Sequence, residues 1–127
     1  MGEEIRIAIA DDSAAFLAAA AEYVARLPGC VIAGTADHAS QAVALVRHCA
    51  PDVVLLDLGP APARGLEALR QVRAIPGAPA VVAMTLFHSP EAAAAARRAG
   101  AYALISKEAF VSGLTEILAG LFPAKAA

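Results

Sequence analysis

The stretch Asp52-Val53-Val54-Leu55-Leu56-Asp57 decides the fold of this 127-residue chain. Four consecutive apolar residues between two acids are typical of a central parallel strand that is covered on both faces. A parallel strand needs a crossover of a dozen or more residues, usually a helix, to reach its neighbour. The stretch therefore predicts an α/β sheet in which the carboxylate of Asp57 follows a buried strand.

Four further apolar runs repeat this pattern, and the five runs start 25, 22, 28 and 22 residues apart. Each interval has room for a crossover helix, so we predict a doubly wound, five-stranded parallel sheet. One domain over residues 1–127 accounts for all five units, with no second domain expected. The candidate strands are Ile5–Ala10, Cys30–Ala36, Asp52–Leu56, Ala80–Met84 and Tyr102–Ser106.

Capping residues and helix breakers mark the helices. Ser13 is a good N-cap, and Ser89 followed by Pro90 places a cap and a first-turn proline in the favoured order. The fourth helix offers five consecutive alanines, Ala92 to Ala96, so we expect this helix to be smooth and weakly anchored. We predict helices over Ala14–Leu27, Leu66–Ile75, Pro90–Ala99 and Phe110–Leu121, with a loop over Ala61–Gly65 before the second of these.

The composition excludes several classes of protein. With 59% apolar and 17% charged residues, disorder is excluded, although 35 alanines make the core thin. A net charge of −2 lacks the basic footprint of a nucleic-acid-binding domain. Cys30 and Cys49 form no CxxC pair, so we expect two buried thiols of a reducing compartment. An acidic start and the lack of a run of about 20 apolar residues predict a cytoplasmic protein without a membrane segment.

Polar residues follow four of the five predicted strands. Asp11 and Asp12 follow the first strand, Asp57 the third, Thr85 the fourth and Lys107 the fifth. The carboxyl ends of parallel strands form the ligand-binding edge of an open sheet, so these side chains are expected to converge. Two carboxylates about 4 Å apart repel by about 4 kcal/mol at an effective dielectric of 20, and a divalent cation relieves that repulsion. Because the ligands are all oxygens, Mg²⁺ is the favoured ion.

Each of these residues also has an ordinary structural interpretation. Asp12 alone is more often a helix cap, Lys107 alone a solvated lysine, and Thr85 alone a strand-end hydroxyl. Their combined occurrence at successive strand ends favours a functional site.

At this point the sequence resembles the receiver domain of two-component response regulators, from Ile5 to about Leu121. The resemblance implies a flavodoxin-like (βα)5 fold with strand order 2-1-3-4-5. Among receivers, the sequence is most similar to the branch that usually carries a C-terminal helix-turn-helix output domain, and these 127 residues contain no such domain. The motifs are Ile9-Ala10-Asp11-Asp12-Ser13, Asp52 to Leu58, Gly65-Leu66-Glu67-Ala68-Leu69, Arg98-Ala99-Gly100-Ala101 and Ser106-Lys107-Glu108.

The resemblance implies that Asp57 accepts a phosphoryl group from a sensor histidine kinase or a phosphotransfer protein. Mg²⁺ is then expected on Asp12 and Asp57 directly, on Asp11 largely through water, and on the backbone carbonyl of Gly59. The domain is expected to be a signalling phosphoacceptor that assists its own phosphorylation and dephosphorylation, not an enzyme.

The same resemblance implies that Lys107 pairs with the phosphoryl oxygens and that Thr85 hydrogen-bonds one of them. Thr85 would thereby couple phosphorylation to the face formed by helix 4, strand 5 and helix 5, a charge-triggered switch. A second copy of the chain is a further candidate partner, whereas direct binding of nucleic acid or membrane is not expected.

Three departures from the family pattern keep other functions open. Leu104 occupies the position of the usual aromatic residue, Leu86 is bulky where a small residue is usual, and two prolines stiffen the loop from Gly59 to Pro62. These departures favour a second hypothesis, an interaction module of receiver fold that signals without phosphorylation. A third, a flavin or nucleotide binder or a small phosphohydrolase, is disfavoured because no GxGxxG or GxxxxGK[ST] loop occurs.

Overall fold

The computed structural model describes residues 4–123 and contains one five-stranded parallel sheet. The strand order is β2-β1-β3-β4-β5, and every neighbouring pair is parallel. The doubly wound receiver-type topology expected from the sequence is thereby confirmed. The strands are β1 (Ile5–Ala10), β2 (Cys30–Ala36), β3 (Val53–Asp57), β4 (Ala80–Thr85) and β5 (Ala103–Ser106).

Five helices alternate with the strands, and serine caps begin two of them. The Ser13 hydroxyl accepts a hydrogen bond from the Phe16 N–H at 3.3 Å, and the Ser89 hydroxyl accepts one from the Ala92 N–H at 3.0 Å. Gly100 ends the fourth helix in the left-handed region, with φ 111°. The helices are α1 (Ala14–Arg26), α2 (Ala42–Cys49), α3 (Pro62–Arg73), α4 (Pro90–Ala99) and α5 (Phe110–Leu121), with short 3₁₀ turns at Ala39–Gln41 and Lys107–Ala109.

The predicted loop over Ala61–Gly65 is wrong, because α3 already begins at Pro62. Proline is well suited to the first helical position, where its fixed φ matches the helix and its missing N–H is not needed. Gly65 lies within this first turn and is buried against the backbone of Leu58. The same helix ends at Arg73 and not at Ile75, and the other element boundaries differ from the predicted ones by at most one residue.

The core consists of two layers, one on each face of the sheet. Alternate residues of β3 serve opposite layers, Val53 and Leu55 on the α1–α5 side and Val54 and Leu56 on the side of α2, α3 and α4. All four are fully buried, as expected for a central strand covered on both faces.

Small side chains dominate one of these layers. The two residues that α4 buries, Ala96 and Ala99, are both alanines, so this helix contributes no large buried side chain to the layer. Cys30 is buried, but Cys49 is partly exposed, so the expectation of two buried thiols holds for one of them. No helix within residues 4–123 is long and apolar enough to cross a membrane.

Candidate functional site

The sheet brings the polar strand ends to one edge. Leu56 of β3 pairs with Ala10 of β1. Asp57 and Asp11 are the next residues along these two neighbouring strands, so they lie at the same level of the sheet. Asp57 itself pairs with Met84 of β4, one residue before Thr85. Thr85 in turn pairs with Ser106 of β5, which precedes Lys107. All the strand-end residues singled out in the sequence therefore lie at this edge.

Lys107 lies between two carboxylates at the centre of the site. Its Nζ is 2.8 Å from Oδ2 of Asp11 and 3.3 Å from Oδ1 of Asp57. The Lys107 side chain is 8% exposed, and Asp11 and Asp57 are 0% and 6% exposed. Charges held this deeply interact strongly, because little water screens them.

The surroundings of Asp11 disfavour the charged form of its carboxyl group. Burial raises the pKa of its carboxyl group above the usual 3.8, and the negative charge of Asp57 adds to that effect. The contacts with Lys107 and with the Ser13 N–H, which donates to Oδ1 at 2.8 Å, oppose the rise without cancelling it. The buried Oδ2 makes no hydrogen bond of good geometry within residues 4–123 but lies 2.8 Å from the Lys107 ammonium, which compensates its charge.

The residues present fit a hard divalent cation. Asp11, Asp12 and Asp57 each offer a carboxylate oxygen, and these three oxygens lie within 4.8 Å of one another. Asp12 is exposed, whereas the other two are buried, so an ion can approach from solvent. Mg²⁺ prefers oxygen ligands and keeps several waters, which suits a half-open cluster of this kind.

Gly59 shapes the loop beyond Asp57. Its φ of 73° lies in the left-handed region that glycine adopts without strain, and its N–H donates to Oδ1 of Asp57 at 3.0 Å. Oδ1 of Asp57 thus receives both this N–H and the Lys107 ammonium.

Thr85 ends β4 with its side chain buried. Its Oγ1 accepts a hydrogen bond from the Phe87 N–H at 3.1 Å, which leaves the hydroxyl proton available for donation. Leu86 and Phe87 follow with 58% and 79% exposure, and with Pro60 they line a cavity of about 290 Å³ beside Asp57 and Lys107. Leu104 is 7% exposed and packs in the layer beneath α4.

The sequence did not single out the ring beneath the lysine. Nζ of Lys107 lies 4.6 Å from the ring centroid of Phe16, in the first turn of α1. His38 and Arg64, which line a cavity of about 300 Å³ on the other side of Asp57, were also missed as neighbours of the site. The position of Phe16 just after the acid pair was the available signal for the first of these.

The sequence of residues 7–119 matches the family model of the response regulator receiver domain. This chain belongs to that family. Receiver domains of response regulators are signalling domains, so the strand-end cluster lies in a signalling module.

Solved structures support the same assignment. A two-component response regulator of the LuxR family from Aurantimonas sp. SI85-9A1 is 30% identical, with a TM-score of 0.79 over 93% of this receiver domain and 87% of that chain. The response regulator domain of CheB from Thermotoga maritima shares the fold, with 22% identity and a TM-score of 0.81 over 98% of each chain. The likeness to the LuxR family agrees with the branch that the sequence resembles.

One curated relative is a much longer protein of another kind. The protein-glutamate methylesterase/protein-glutamine glutaminase of Pyrococcus horikoshii is 33% identical over 72 residues, which are 57% of this chain. The match covers 20% of the length of that relative. The similarity therefore concerns about a fifth of that protein, and its activity is stated for that protein alone.

Proposed function

We propose that this receiver domain accepts a phosphoryl group on Asp57 from a phosphohistidine of a sensor kinase or a phosphotransfer protein. The observation that carries the proposal is the position of the Lys107 ammonium, between Asp11 at 2.8 Å and Asp57 at 3.3 Å. A buried cation beside a carboxylate at a strand end supplies the positive charge that phosphoryl transfer requires around the transferred group.

In the transfer step a carboxylate oxygen of Asp57 attacks phosphorus in line with the phosphorus–nitrogen bond of the phosphohistidine. That bond breaks and its electron pair stays on the imidazole nitrogen, which takes up a proton. Oδ1 of Asp57 already receives Lys107 and the Gly59 N–H, so Oδ2 is the attacking oxygen. Lys107 then holds a phosphoryl oxygen, and Thr85 donates its hydroxyl proton to another.

The domain itself provides a magnesium site for this chemistry. Asp12 and Asp57 would hold Mg²⁺ directly, Asp11 through water, and Gly59 through its backbone carbonyl. When bound, the ion neutralises charge on the non-bridging phosphoryl oxygens. Asp12, as the exposed member of the cluster, is the ligand that an arriving ion meets first.

The signal would leave the site through the segment after Thr85. Residues 86–89 connect Thr85 to α4, a helix whose buried side chains are the methyl groups of two alanines. When the Thr85 hydroxyl forms a hydrogen bond with the phosphoryl group, the segment after Thr85 is displaced. Helix α4 can then shift at low cost, because no large side chain anchors it in the core. The face formed by α4, β5 and α5 is the surface that would change, and a second copy of the chain is a candidate partner for it.

Intact mass spectrometry tests the phosphoacceptor directly. The protein is incubated with a small phosphodonor and Mg²⁺, and we expect the mass increase of one phosphoryl group. Asp57→Asn and a chelator should each abolish the adduct. Asp37→Asn is the matched control, because Asp37 is an exposed aspartate that follows β2 at the same edge of the sheet. An adduct that survives Asp57→Asn overturns the proposal.

A specific observation favours a second candidate function, an interaction module that works without phosphorylation. Leu104, which replaces the usual aromatic residue, is packed in the core and offers no ring that can move between exposed and buried positions. Amide chemical shifts with beryllofluoride and Mg²⁺ separate the two functions. Large shifts in α4 and β5 exclude the second candidate, and unchanged shifts there support it.

A further inference from the structure

The ammonium of Lys107 has a third neighbour that is not an acid. The Nζ atom lies over the ring of Phe16, 4.6 Å from the ring centroid. This distance is within the range of a cation–π contact, in which the electron-rich face of the ring attracts the cation. Because the lysine side chain is only 8% exposed, water screens this contact little.

A ring holds a cation differently from a carboxylate. A third carboxylate near Lys107 would compete with a phosphoryl oxygen for its N–H groups and add negative charge where the phosphoryl group must arrive. The face of Phe16 attracts the ammonium while carrying no net charge. Lysine also has a flexible four-carbon chain that gains little orientation from its own geometry, so an external support has a large effect on where Nζ lies.

The ring is held in place by helix packing. Phe16 contacts Phe110, the first residue of α5, edge to face, with centroids 5.3 Å apart and planes at 82°. Tyr23 contacts the same Phe110 ring at 5.9 Å and 72°, and its hydroxyl forms a hydrogen bond with Thr115 at 3.2 Å. Edge-to-face contacts of this kind fix ring orientation as well as position.

From these contacts we propose that Phe16 is a positioning residue that holds the Lys107 ammonium between Asp11 and Asp57 through its ring face. The packing of α1 against α5 sets the position of that ring. The inference rests on the proposed function for its consequence, the rate of Asp57 phosphorylation, but the position of Lys107 can be measured without phosphorylation.

The experiment compares Phe16→Leu, which removes the ring, with Phe16→Tyr, which keeps it. In unmodified protein, NMR should show that the Lys107 ammonium protons, protected by their ion pairs with Asp11 and Asp57, exchange with water faster in Phe16→Leu than in the wild type and at the wild-type rate in Phe16→Tyr. With phosphodonor and Mg²⁺, the rate constant for Asp57 modification should fall about 3- to 10-fold in Phe16→Leu and be restored in Phe16→Tyr.

Leu17→Ala is the control for lost packing, because Leu17 is the next residue of α1 and packs against the same core layer. It should lower thermal stability while leaving the exchange of the Lys107 ammonium protons unchanged. The inference is overturned if ammonium exchange in Phe16→Leu stays at the wild-type rate, or if Phe16→Tyr behaves like Phe16→Leu. If the wild-type protein forms no adduct at all, the proposed function fails, and the exchange of the Lys107 ammonium alone then decides the role of Phe16.

Discussion

Asp11 and Asp12 are adjacent in sequence but differ in environment. Asp11 is fully buried and contacts Lys107, whereas Asp12 is exposed at the rim of the cluster. Side chains of an extended segment alternate in direction, so two consecutive acids at the end of β1 point to different surroundings. One acid therefore carries the desolvation cost, and the other is accessible to ions from solvent.

The environment of Asp11 leads to a prediction about stability and pH. Its pKa is raised in the folded protein, mainly by burial, so protonation of Asp11 favours the fold. That contribution is complete below the ordinary pKa of 3.8 and is lost as the pH rises through the higher value in the folded state. In a chelator, Asp11→Asn should therefore unfold at higher urea than the wild type at about pH 7, with a difference that shrinks as the pH falls toward 4.

Urea unfolding at several pH values measures this difference. Asp37→Asn, at an exposed position, should show no such pH-dependent gain. A lower stability of Asp11→Asn at neutral pH in chelator would show that its ion pair with Lys107 outweighs the burial of its charge.

Helix α3 packs closely against the loop after β3, next to the site. A Cβ built on Gly65 would lie 2.5 Å from Cα of Leu58, one residue after Asp57. Real Cβ atoms do not approach backbone that closely, so either α3 or the loop after β3 has to move when a side chain is added. Gly65 thus allows α3 to pack beside the loop that presents Asp57.

Gly65→Ala should consequently destabilise the protein by about 1–3 kcal/mol, the usual cost of overpacking. Gly113→Ala in α5 is the matched control, because its Cβ would meet only the Ile105 side chain, at 3.2 Å. There the gain in helix propensity of about 1 kcal/mol offsets the crowding. Urea unfolding of both variants measures the difference, and an equal effect of the two substitutions would contradict the packing argument.

The elements also show what a sequence can reveal. Caps and apolar runs act locally, so Ser89, Pro90 and Gly100 are sufficient to predict both ends of α4. Local signals also mislead: two prolines after Gly59 suggest a loop, although Pro62 occupies the first position of a helix. The contact between Phe16 and Lys107 joins residues 91 positions apart in sequence (107 − 16), and no local pattern determines that distance.

At the scale of the whole molecule, the site joins strands that are not consecutive in the chain. Asp11 follows β1, Asp57 ends β3 and Lys107 follows β5, so the contacts among them span four adjacent strands of the sheet, from β1 to β5. A ligand that relieves the repulsion among these acids therefore raises the free energy of unfolding of the whole domain and not the stability of one element alone.

Magnesium should accordingly raise the free energy of unfolding of the entire domain. A ligand that binds only the folded state adds RT ln(1 + [L]/Kd), about 2.7 kcal/mol at a concentration 100 times Kd. The three carboxylates converge only in the folded sheet, since Asp57 lies 45 residues beyond Asp12 in the chain (57 − 12). Urea midpoints measured against Mg²⁺ concentration, at constant ionic strength, should rise in the wild type and in Asp37→Asn. Asp12→Asn should lose most of this response, and an unchanged response in that variant would show that the ion acts elsewhere on the surface.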